Sequence, residues 1–205
     1  LLSVAVAALF LLGTADYKRM LAYSSIEHMG ILALGLGAGT LGVAAALFHA
    51  VNHSLTKCAL FLTAGRILDA TGTKRIAEAR ALSRVMPATS AVWIVGLFAI
   101  SGVPPFGVFF SEWRIFQSVF AVGRWGIGLA ALLLLAVAFA GIARAGLRMT
   151  AGDSAAETPL TARRRLSPWA DLAPAIVLLA VVALLGLRMP AFLGGALNAA
   201  AGALP

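Results

Sequence analysis

In the stretch LFHAVNHSLTKCALFL, residues 47–62, His49, His53 and Lys57 recur every four residues in an otherwise uncharged apolar segment. Four-residue spacing stacks side chains on one face of a helix. At about 1.5 Å of rise per residue the three groups form a stripe roughly 12 Å long. Three kinds of chemistry compete for it. His-x3-His on a helix is a zinc-ligand spacing, but the intervening Glu is missing and Lys57 would repel a cation. Polar groups also act as glue between membrane helices, at roughly 0.6 kcal/mol per hydrogen bond. The third reading is a proton relay, because histidine changes charge near neutral pH and a buried lysine exchanges protons readily. The relay is favoured, with Asn52 and Thr56 beside the stripe suited to hold bridging waters.

Further ionisable residues fall in apolar surroundings, where each costs at least ~2.5–3.5 kcal/mol on insertion scales and so needs a reason. Glu112, in FGVFFSEWRIF, follows a Pro-Pro pair and precedes Arg114 by two residues. A helix-dipole partner or half of an ion pair is the plain reading; a proton-loading or exit group is the favoured one. Glu27 and His28, in AYSSIEHMG, follow two serines about 15 Å along the helix from Lys18. They either join the same polar axis or make structural hydrogen bonds.

The elements that carry these residues are apolar helices. Of the 205 residues 61% are hydrophobic and only 12% charged, against about 25% charged in soluble domains. Apolar runs cover residues 1–14, 20–38, 41–66, 89–122, 125–148 and 171–189, separated by polar links at 67–88 and 149–170. Runs of about 20 residues span bilayers, so the fold class is an all-α polytopic membrane protein with about six transmembrane helices. Strand-like alternation, the mark of a β-barrel, is missing. The net charge of +8 does not indicate nucleic acid, because the arginines sit in the links between runs. The single cysteine, Cys58, supports neither a disulfide nor a cysteine-based metal site, and no metal or cofactor is expected. The chain opens in mid-run, without an initiator Met or signal peptide, and is expected to be the C-terminal piece of a longer protein.

The run 89–122 would make one helix about 51 Å long, well beyond a hydrocarbon core of roughly 30 Å. It is therefore two crossings, or one crossing broken at SGVPPFG, residues 101–107. One crossing places Lys18, Arg19, Arg66, Lys74, Arg75, Arg80, Arg84, Arg144, Arg148, Arg163, Arg164 and Arg165 on one side, and leaves Arg124 and Arg188 on the other. Two crossings would split the basic set. The positive-inside rule selects one broken helix with the basic side cytoplasmic. Pro104 and Pro105 lack the N–H groups a helix needs, and a break at membrane depth is tolerated where it lines a hydrated cavity or is buried in protein. A simple proline kink is the alternative; the flanking Gly102 and Gly107 favour the functional break.

The segments DYKRMLAYSSIEHMGILALGLG, LFHAVNHSLTKCALFLTAGRI and SGVPPFGVFFSEWRIF together resemble the antiporter-like proton-translocating subunit family. That family comprises the membrane-arm subunits of respiratory complex I, the Mrp-type Na⁺/H⁺ antiporters and subunits of membrane-bound hydrogenases. The variants SSIEHMG and VNHSLTK look most like the F subunit of hydrogenase-4-type complexes. The resemblance implies a fourteen-helix fold with two inverted repeats, each holding a broken helix, of which this chain carries the C-terminal part. It implies that Lys18, His49, His53 and Lys57 belong to a central hydrophilic axis and that Glu112 is its terminal group. A first half-channel would lie before residue 1.

The expected function is proton translocation in a redox-driven complex of the hydrogenase-4, formate hydrogenlyase or NADH dehydrogenase kind, with no catalytic site on this chain. A Mrp-type Na⁺/H⁺ antiporter subunit and a structural anchor for a catalytic arm are the alternatives. The expected partners are other membrane subunits, a soluble redox arm, lipid and protons, and not nucleic acid. The expected location is a bacterial or archaeal cytoplasmic (inner) membrane, crossed several times. Residues 1–148 form the proton-translocating part, 149–170 a cytoplasmic link, and 171–205 the last crossing and a tail.

Overall fold

The computed structural model describes residues 1–151 and 168–203. Its helices are α1 (Leu2–Gly13), α2 (Tyr17–Leu36), α3 (Gly39–Thr71), α4 (Leu82–Val85), α5 (Pro87–Ile100), α6 (Gly107–Ala121), α7 (Trp125–Ala151), α8 (Pro168–Leu187) and α9 (Ala191–Gly202). No strand is present among the described residues. Local chemistry sets several boundaries. The Asp16 side chain caps α2 by accepting the Lys18 and Arg19 backbone N–H groups at 2.8 and 3.1 Å. Pro87 begins α5, where its missing N–H costs nothing.

Helix α3 is the axis of the molecule and packs against α2, α5, α6, α8 and α9. A layer of Tyr17, Met20, Leu60, Ile67, Trp93 and Met149 fills the space around one half of it. Helices α7 and α8 are long and apolar enough to cross a bilayer by themselves. Both turn large side chains outward, Leu133 at 71% and Leu184 at 63% exposure, as lipid-facing helices do.

The two ends of the bundle differ. At one end the Tyr17 N–H donates to Lys74 O, the Ile76 N–H to Ala15 O, and the Ser83 hydroxyl to Thr150 O at 2.6 Å. Arg66 pairs there with Asp171 at the start of α8. This end thus collects Lys18, Arg19, Arg66, Lys74, Arg75, Arg84 and Arg148. At the other end Arg124, just after α6, approaches Gly37 in the α2–α3 turn. Helices α5 and α6 therefore run in succession from the basic end to the opposite end, interrupted at residues 101–106.

Three boundaries differ from the sequence reading. Helix α3 continues through Thr71 and stops only at Gly72, whose φ of +69° suits glycine, so the first five residues of the 67–88 link are helical. Residues 149–151 and 168–170 of the second link are also helical; its remainder, including Arg163 to Arg165, lies outside the described residues. The tail contains α9, where alanines outweigh the helix-weakening glycines.

Candidate functional site

The four-residue stripe of α3 is buried along its length: His49 is 0%, His53 7% and Lys57 6% exposed. It does not act alone. Helix α2 brings Ser24, Glu27 and His28 against it, and α6 brings Ser111 and Glu112, all buried. Three helices thus concentrate their ionisable side chains in one water-poor place.

Directions of hydrogen bonding can be read from the geometry. The Ser111 hydroxyl donates to Val108 O at 2.8 Å, so it accepts from His49 Nδ1 at 2.9 Å. The His49 proton is then on Nδ1, and its Nε2 lone pair faces the cluster. His28 Nδ1, 3.1 Å from that lone pair, is its donor. The same His28 nitrogen stands 3.5 Å from Glu112 Oε1. Lys57 Nζ donates to Leu21 O at 2.6 Å and to the Ser24 hydroxyl, and it is close enough to Glu27 for the two charges to interact. His53 Nε2 and Glu27 Oε2 are buried without a hydrogen-bond partner.

His28 is the hub. The His49 and His53 rings, neighbours on the stripe, have centroids 6.2 Å apart, whereas His28 lies 5.2 Å from one and 5.0 Å from the other. A residue read from sequence as a secondary candidate is therefore the one that joins the stripe to Glu112. Glu27 stands beside it. Lys18 is not brought to this cluster; it lies half-buried in the first turn of α2, about 14 Å along the helix from Glu27. Asn52 and Thr56 bond within their own helix, to Phe48 O and Asn52 O. Arg114 faces outward, so the basic neighbour of Glu112 is His28 and not Arg114.

The interruption between α5 and α6 shapes the site. Gly102 has φ of +67°, and a Cβ there would lie 2.4 Å from Glu112 Oε2. At Gly107 a Cβ would meet Asn52 Oδ1 at 1.9 Å, and at Gly186 of α8 it would meet Pro105 O at 2.1 Å. The segment with Pro104 and Pro105 thus meets α3 at Gly107 and α8 at Gly186, while the two prolines themselves stay exposed. Behind it Glu27, His28, Ser101 and Glu112 line a cavity of ≈ 20 Å³, room for about one water. On its outer side Ser101, Gly102, Trp113 and Glu112 line an open groove of ≈ 250 Å³. Glu112 touches both. Gly102 and Gly107 were noted from sequence as flanking the break, whereas Ser111 and Gly186 were not singled out; the only signal for Ser111 was its place directly before Glu112.

Residues 1–140 match the family described as NADH:quinone oxidoreductase/Mrp antiporter, TM. The chain is 39% identical over 149 residues to formate hydrogenlyase subunit 3 of Escherichia coli (strain K12), across 66% of this chain and 24% of that protein. It is 43% identical over 122 residues to a hydrogenase-4 component F homolog of Methylacidiphilum infernorum (isolate V4), across 59% of this chain and 26% of that one. The chain matches about a quarter of the length of these curated relatives. Its fold is similar to a chain of the membrane-bound sulfane sulfur reductase, an archaeal respiratory membrane complex, with a TM-score of 0.81 and 31% identity over 98% of this chain and 40% of that chain. Sequence match, helical fold and outward apolar faces agree: the chain belongs to the NADH:quinone oxidoreductase/Mrp antiporter family of transmembrane proteins.

Proposed function

We propose that this chain is part of a proton-translocating membrane subunit of a redox-driven complex of the hydrogenase-4 or formate hydrogenlyase kind. The observation that carries the reading is the buried three-helix cluster, in which Lys57, Glu27, His53, His28, His49 and Glu112 follow one another between α2, α3 and α6. Protons pass from the Lys57–Glu27 side through the imidazoles to Glu112, which opens on the outer groove. Separations of 3.1 Å from His28 to His49 and 3.5 Å from His28 to Glu112, with a one-water cavity beside them, suit transfer by short hops, since a general acid or base must reach its partner directly or through one water.

In this reading the chain crosses the membrane six times. Helices α5 and α6 count as one crossing interrupted at Pro104-Pro105, and the basic end faces the cytoplasm. The interruption packs on α3 and α8 at Gly107 and Gly186 and lines the groove beside Glu112, the setting in which broken backbone is tolerated at membrane depth. Electron-transfer groups belong to partner subunits.

The test is proton uptake into inverted vesicles, normalised to assembled complex. Lys57→Met should assemble and fail to pump. Normal pumping by the assembled variant would leave the cluster as helix packing. Dependence of transport on Na⁺ would instead select a cation/proton antiporter.

A further inference from the structure

We propose that His28, His49 and Glu112 also form a binding site for a zinc-class dication, whose occupation blocks the path through the cluster. The blocking half of this inference rests on the proton-path reading; the binding half does not.

The three residues each offer one ligand atom, all within 4.8 Å of one another, and all three are buried. Two of the separations are 3.1 Å, between His28 Nδ1 and His49 Nε2, and 3.5 Å, between His28 Nδ1 and Glu112 Oε1. Ligands held at about 2.0–2.2 Å from tetrahedral zinc stand roughly 3.3–3.6 Å from each other, so the 3.5 Å edge already has the required size and the 3.1 Å edge needs only a slight widening. The third edge closes by rotation of the Glu112 carboxyl. The Ser111 hydroxyl fixes the proton of His49 on Nδ1 and leaves Nε2 as the free ligand atom, the outer hydrogen bond that metal-binding histidines need.

Two further observations point to a cation. Glu27, 4% exposed, has Oε2 buried without a partner and lines the ≈ 20 Å³ cavity with His28 and Glu112. That cavity has room for the water that fills the fourth position of a three-ligand zinc site. The carboxylates of Glu112 and of Glu27, the latter shared with Lys57, supply negative charge at a depth where an uncompensated ion is costly. The ≈ 250 Å³ groove that Glu112 also lines supplies the way in. Two imidazoles and one carboxylate suit zinc, cobalt, nickel and copper; calcium and magnesium require six or more oxygen ligands, which this cluster lacks.

The zinc site weighed from the sequence used His49 and His53, on one helix. The cluster supplies the missing carboxylate from α6, and the Lys57 ammonium is engaged by the Ser24 hydroxyl, Leu21 O and the charge of Glu27.

The full-length protein, purified in detergent, is titrated with Co²⁺, whose visible absorption distinguishes four- from six-coordinate sites, and then with Zn²⁺ in competition. One equivalent should bind in four-coordinate form, displaced by Zn²⁺ and not by excess Mg²⁺. His49→Gln and Glu112→Gln should each weaken binding by ~10-fold or more, and Ser111→Ala by about 10-fold while leaving every ligand in place. Lys57→Met, which removes a neighbouring positive charge and no ligand, should bind Co²⁺ at least as tightly as the unaltered protein. In inverted vesicles, saturating Zn²⁺ should stop proton uptake and a chelator should restore it. Six-coordinate or non-saturating Co²⁺, or unchanged binding in folded His49→Gln and Glu112→Gln, overturns the site. Stoichiometric binding with undiminished proton uptake overturns the block. If Lys57→Met pumps normally while Co²⁺ binding stays cluster-dependent, the proton path falls and the metal site stands.

Discussion

Two acid–base pairs in this chain have almost the same separation and opposite surroundings. His28 and Glu112 are 3.5 Å apart with side chains 2% and 10% exposed. Arg75 and Glu78 are 3.3 Å apart with side chains 75% and 50% exposed. Distance does not distinguish them; water does. Lowering the effective dielectric from about 80 to about 20 strengthens a charge–charge interaction roughly fourfold, and salt screens the exposed pair further. At the basic end a proton gained or lost is absorbed by solvent. In the cluster each such change must be answered by a neighbouring group, and that is what allows a charge to be handed on.

The contrast can be broken most directly at Glu112. Glu112→Gln keeps the shape and removes the carboxylate, and we expect assembled complex with proton uptake reduced by about 10²-fold, the lower range for loss of a proton-transfer group. His28→Gln should come next and exceed His53→Gln in the same assay, because His28 is the ring that joins the stripe to Glu112. Equal defects in the two histidine variants would show that the stripe conducts without the hub.

A smaller effect tests the frame. Gly186→Ala places a methyl group against Pro105 O, and overpacking of this kind costs about 1–3 kcal/mol. We expect a lower melting temperature and reduced pumping per assembled complex; full pumping at a lower melting temperature would separate the frame from the path. Weaker still, Arg66→Ala removes a partly exposed partner of Asp171 and should cost at most about 1 kcal/mol, with pumping retained.

The smallest effect belongs to the exposed pair. The Thr73 hydroxyl, then Arg75, holds the Glu78 carboxyl below the usual carboxylate range. Any stabilisation is therefore present above the ordinary carboxylate pKa and lost as pH falls through the lowered one. Glu78→Gln should lower the melting temperature only slightly at neutral pH, and that small difference from the unaltered protein should vanish as pH falls through the lowered carboxylate range. A pumping defect in this variant would mean that the basic end is more than a surface.

Much of this was legible because helical periodicity is a local property. The spacing of His49, His53 and Lys57 gave their common face, the Pro-Pro pair lies where α5 gives way to α6, and the distribution of arginines anticipated which links meet at one end. What local pattern cannot carry is the choice of partner across helices. Nothing in AYSSIEHMG says that His28 will sit between two rings of α3, or that Ser111 will orient one of them. Lys18 illustrates the reverse case, a basic residue named with the axis that the fold leaves at the basic end. The ends of α3 and α7 ran past the predicted links because helix geometry continues through polar residues until something such as Gly72 stops it.

The close packing of Gly107 on Asn52 and of Gly186 on Pro105 O has a kinetic consequence. A backbone pinned at two such points, with no room for even a methyl group at either, is unsuited to swing as a hinged gate. Whatever opens and closes the route through Glu112 is then left to rotating side chains and to the coming and going of single waters. Such events belong to a faster class than collective backbone rearrangements, which take microseconds to milliseconds. The molecule is built like a switch whose casing stays still while only its contacts move.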